Sequence, residues 1–168
     1  IGYITIGLFL LVFSLFFYLT TVSVGAYDMG NLYFNTARYG LLIMVPIITM
    51  RTFAEERKNG TEQLLLTSPR SITGIVLGKF FAAVTLILIT LAFSFVYYII
   101  LCFFKAPNLA STLVSMLGFL LVAMAAIGLG MFISSLTENQ VIAAIITILL
   151  LVVPWFLPNI DESFAMVD

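Results

Sequence analysis

The chain has 168 residues, of which 62% are apolar and only 9% charged. A soluble domain carries roughly 25% charged residues, and one of this size has too little interior to hide so much apolar surface. A water-soluble enzyme and a disordered chain are thereby excluded, and the solvent is lipid. Seven Lys and Arg against eight Asp and Glu give a net charge of −1, which leaves no basic face for nucleic acid. There is no His and a single Cys102, so a metal site, a haem ligand, the commonest general base and an intrachain disulfide are all unexpected.

Charges are costly at the bilayer centre, so long uncharged runs locate the spans. The first run covers 1–27. After Asp28 and Arg38 comes a run over 39–50, twelve residues long. At helical rise that covers only about 18 Å of a ~30 Å core, so the second span must start near Leu32, with Arg38 snorkelling to the outer interface or facing protein. Charges then cluster over 51–79, and three further runs cover 80–104, 106–137 and 139–160, separated by Lys105 and Glu138. The expectation is an all-α membrane bundle with spans at about 1–24, 32–51, 77–103, 112–135 and 139–157. Ile1 opens inside an apolar run and five is an odd count, so a sixth span is expected beyond Asp168.

Lys and Arg in the loops set the orientation. Arg51, Arg57, Lys58, Arg70 and Lys79 share one loop, against Arg38 and Lys105 on the opposite side, which makes the 51–79 loop cytoplasmic. Tyr18, Tyr27, Tyr33, Tyr39, Tyr97, Tyr98 and Trp155 fall toward the outer ends, where amphipathic rings settle at the interface.

Within the spans, Pro46 removes a backbone hydrogen bond and predicts a kink. In the fourth span Ala126, Gly130 and Ser134 recur every four residues, with Ala123 and Gly128 close by. Such small residues let two backbones approach in lipid, either within one subunit or between two. Gly74 and Gly78 form a second small pair. No acid, base or amide lies deep in spans one, three or four, which argues against ion-coupled transport and places the energy source elsewhere.

Residues 50–71 read MRTFAEERKNGTEQLLLTSPRS and hold much of the charge. Residues 51–58 should extend the second helix beyond the membrane. Asn59-Gly60 should stop it, with Gly60 suited to a left-handed conformation. Asn59 and Glu62 then resemble a capping box opening a short helix through Leu64, Leu65 and Leu66 that ends before Pro69. Physically this could be a surface helix resting at the interface or a contact offered to a partner. The Asn59-Gly60-Thr61 sequon would be unused in the cytoplasm. The run from Gly74 to Phe80 is one residue short of a phosphate loop and lacks its Ser or Thr. Glu55-Glu56 and Asp161-Glu162 have no partnering base, so no catalytic residue is assigned.

The run FAEERKNGTEQLLLTSP over 53–69, followed by Gly78-Lys79-Phe80, resembles the first cytoplasmic loop of ABC-2-type transporter permeases, most closely the gliding-motility-associated branch. The resemblance implies a six-span subunit, of which five lie in this chain, in the plasma (inner) membrane of a bacterium. It implies a second permease subunit in a homo- or heterodimer, and separate cytoplasmic ATPase subunits that hold the ATP and magnesium, with no cofactor in this chain. It also implies that Glu55, Glu56, Arg57, Gly60, Thr61, Glu62 and Leu64 contact the ATPase through a coupling loop over 51–76. The function so implied is ATP-driven export. A non-transporting membrane scaffold or assembly factor that binds a cytoplasmic partner is the alternative.

Overall fold

The computed structural model describes residues 2–23, 25, 29–54, 56, 60, 72–104 and 108–165. Its described residues form helices and turns. They comprise α1 (Gly2–Phe17), α2 (Met29–Thr49), α3 (Ile72–Phe104), α4 (Leu109–Leu136) and α5 (Gln140–Ala165). A π-helical turn over Tyr18–Val22 closes α1, its last bond running from Ser23 N to the Tyr18 carbonyl at 3.0 Å. The first four helices are each long and apolar enough to cross a bilayer. The all-helical membrane bundle expected from the charge gaps is the fold.

Helix bounds shift where local hydrogen bonding overrides hydropathy. At 33 residues, α3 begins at Ile72 rather than near 77. That is about 50 Å of helix against a ~30 Å core, so it projects well beyond the apolar layer or tilts within it. Asn108 caps α4 by accepting from Ala110 N at 3.1 Å, and Asn139 caps α5 by accepting from Val141 N at 3.0 Å. These caps fix both N-termini despite the lack of charge in either first turn.

The described helices α1, α3, α4 and α5 neighbour one another in that order, and α2 touches all four. Position along α2 explains why its sequence is the least apolar: Thr36, Thr49 and Gly40 sit buried against protein, not lipid. An aromatic cluster ties four helices together. Phe9 and Phe13 of α1 meet Phe119 of α4 at 5.6 Å and Tyr33 of α2 at 5.4 Å, while Tyr97 of α3 lies 5.1 Å from Phe13.

Two tyrosines correct the expectation of an interfacial belt. Tyr33 is buried, with its hydroxyl 3.0 Å from Ser94 Oγ, and the Tyr97 hydroxyl bonds to Ser14. A phenol inside an apolar bundle needs a partner, and a serine on the facing helix provides one. Tyr18 and Tyr39 remain exposed. Tyr27 lies outside the described residues, as does the side chain of Trp155.

Candidate functional site

The site is built where α2 leaves the bundle. Thr49 and Thr52 turn their hydroxyls back onto the carbonyls of Val45 (2.8 Å) and Ile48 (3.2 Å), and Thr52 N reaches the Thr49 carbonyl at 3.0 Å. Such back-bonding loosens a helix. The chain turns over 50–53, and helical conformation resumes at Ala54. The expected unbroken extension of α2 through 51–58 is therefore interrupted at its start.

That turn is held from α3, α4 and α5. The Ser134 hydroxyl of α4 accepts from Phe53 N and Ala54 N, each at 3.2 Å, and so serves those donors as an N-cap side chain would. Lys79 of α3 donates to the Thr52 carbonyl at 2.7 Å, pairs with Glu56 Oε2 at 2.5 Å, and lies 4.3 Å from the centroid of the Phe53 ring. Arg51 Nε approaches Gln140 Oε1 of α5 at 3.5 Å, the outer limit for a hydrogen bond.

Close helix packing allows the reach from α4. A Cβ added at Gly130 would collide with Thr49 Oγ1 and stand 2.9 Å from Thr49 Cβ, an approach real side chains essentially never show. Glycine thus lets α2 and α4 approach one turn before Ser134 meets the 53–54 backbone. Ala126, Gly130 and Ser134 are all buried on this face. Gly128 is not part of it: the residue is exposed, and a Cβ there would meet nothing within 4 Å. Two residues along a helix turn about 200°, so Gly128 points away. It lines an open apolar cavity of about 590 Å³ between α3 and α4, beside Phe53, Val76, Phe80 and Phe132. Gly74 and Gly78 are likewise exposed.

Of the residues the family resemblance implicates, Glu56 is half-buried against Lys79, and Gly60 is exposed with φ of +69°, a conformation that favours glycine. Glu55, Arg57, Thr61, Glu62 and Leu64 lie outside the described residues. No group of His, Cys, Asp or Glu able to hold a metal occurs among the described residues.

A family model for ABC-2 family transporter protein matches residues 28–160, which includes the pinned turn, α2, α3, α4 and most of α5. The chain belongs to the ABC-2 transporter family. No curated protein and no solved structure matches it. As an ABC-2 membrane domain it is a multi-pass membrane protein and a permease component of an ABC transporter, a class that works with an ABC ATPase. Sequence reasoning missed two features of this ABC-2 chain. Neither the loop charge and motif position of Lys79 nor the small size of Ser134 reveals that the two hold the turn after α2. Their sequence neighbours give no sign of the partners they meet 23 and 80 positions away.

Proposed function

We propose that this ABC-2 chain is a permease subunit of an ATP-driven exporter, coupled to separate ATPase subunits through the segment between α2 and α3. The observation that carries the reading is the pinning of residues 52–56 by Lys79 and Ser134. A partner that pushed on this segment would move α3 and α4 together with α2, and rigid packed helices switch between discrete arrangements rather than bending gradually. Glu55, Glu56, Arg57, Gly60, Thr61, Glu62 and Leu64 supply the contact. Their charges fix register and the leucine adds buried area.

In this reading the 51–79 loop is cytoplasmic, as its Arg and Lys content favours. ATP and magnesium bind the partner ATPase. A second permease subunit, the same chain or a related one, completes the pathway. The membrane is the bacterial inner membrane, in keeping with the resemblance to the gliding-motility-associated branch.

The test is site-directed crosslinking in a Cys102→Ser background. Gly60→Cys should form a crosslink to a co-purifying ATPase, and Gly60→Pro should uncouple ATP hydrolysis from transport. A crosslink to a partner without nucleotide hydrolysis would instead identify a scaffold. Labelling of Gly60→Cys from the exterior face would overturn the orientation.

A further inference from the structure

The helix α2 carries one polar stripe. Asn31, Asn35 and Arg38 follow at spacings of four and three and so share a face. Asn31 is exposed, and Asn35 and Arg38 are half-buried. Their depth follows from the register of α2 against α3. Tyr33 meets Ser94, and Thr52 meets Lys79, so the two helices run antiparallel and Arg38 falls near the level of Thr90. From Lys79 to Thr90 is about 16 Å of helix, roughly half of a ~30 Å hydrocarbon core. Of the two positions expected from the sequence, snorkelling to the outer interface does not fit that depth.

A guanidinium does not readily shed its charge. At the bilayer midplane it must face protein, a counter-charge or a polar path. Among the described residues Arg38 meets the ring of its neighbour Tyr39, 5.7 Å from the centroid, and is in no ion pair. In sequence, the chain places no acid within nine residues of Arg38. Its eight acids are Asp28, Glu55, Glu56, Glu62, Glu138, Asp161, Glu162 and Asp168, all outside the uncharged runs, and the nearest in sequence is ten residues away.

We infer that Arg38, with Asn31 and Asn35 beside it, binds the anionic head group of an amphipathic molecule within the bilayer. A phosphate or carboxylate matches the planar fork of the guanidinium, and the Asn35 amide one turn away adds a hydrogen bond. Exposed Phe34, Tyr39 and Ile43 flank the stripe and suit an apolar tail. In the permease reading, on which only its purpose rests, the site is a station for cargo.

The test is direct binding of decyl phosphate to the full chain in phosphatidylcholine nanodiscs, with decyltrimethylammonium as control. It needs no ATPase, so a failed ATPase partnership leaves it readable. Arg38→Gln should weaken decyl phosphate binding by about tenfold or more, Arg38→Lys should lose less, and binding of the cationic control should not fall. Competition by inorganic phosphate supports a head group drawn from water, and its absence supports one drawn from the bilayer. Asn35→Cys in the Cys102→Ser background should react with a sulfonated thiol reagent and be protected by decyl phosphate. Equal decyl phosphate affinity in Arg38→Gln would overturn the site. So would an Asn35→Cys that stays unreactive, or a carboxylate of a partner chain crosslinked to position 38.

Discussion

Ser134 Oγ lies 3.2 Å from the backbone nitrogen of Ala54, and the same oxygen accepts from Phe53 at equal distance. One hydroxyl on α4 thus satisfies two donors at the start of a segment that no longer belongs to α2. Ser134→Ala leaves both donors without that acceptor, at a cost of about 1–3 kcal/mol for the buried groups. The expected outcome is faster amide hydrogen exchange in the peptide carrying Phe53 and Ala54. Ser135→Ala, whose hydroxyl bonds back to Phe132 within α4, should leave that peptide unchanged.

Gly130 and Gly128 separate packing from composition. Gly130→Ala places a methyl group inside the Thr49 side chain, and overpacking of this kind costs about 1–3 kcal/mol. Gly128→Ala enters open space and replaces the poorer helix former, a gain of up to ~1 kcal/mol. Thermal unfolding in detergent should therefore move in opposite directions for the two variants.

The all-helical membrane bundle was readable in the sequence because a charge in lipid is penalised whatever surrounds it. The four-residue stripe of Ala126, Gly130 and Ser134 was readable because helical period alone puts them on one face. The stripe's partner was not, since periodicity does not say which neighbouring helix it meets, and the open surroundings of Gly128 are visible only in the fold. The role of Tyr33 was hidden for a related reason. A tyrosine near a span end suits the interface equally well, and only the facing Ser94 gives its hydroxyl a buried partner. One-dimensional counting leaves Arg38 either at the outer interface or facing protein, and its level along α3 is legible only from the α2–α3 register.

Tyr33→Phe tests that buried bond with little change in volume. Interhelical hydrogen bonds in membranes average about 0.6 kcal/mol, and the ring contacts to Phe13 and Phe119 are retained. A small loss of thermal stability is expected. Tyr33→Ala, which also opens a cavity where Phe9, Phe13 and Phe119 converge, should lose about 3–5 kcal/mol by analogy with other aromatic truncations.

Lys79 and Glu56 give the sharpest separation of charge from scaffold. Lys79→Glu removes the ion pair, the donor to the Thr52 carbonyl and the cation over Phe53, and sets two carboxylates against each other. Glu56→Lys makes the reverse like-charge pair but leaves Lys79 its carbonyl. The first variant should therefore be the worse of the two, both in membrane yield and in coupled ATP hydrolysis. Combining them restores an attractive pair of opposite sense, worth about 1 kcal/mol for groups this close to water. It cannot restore the bond to Thr52, because a carboxylate has no proton to donate there. Partial rescue of Lys79→Glu by the double variant, in crosslinking of the segment and in hydrolysis alike, is the expected result. Additive damage would mean that the two charges do not act as a pair.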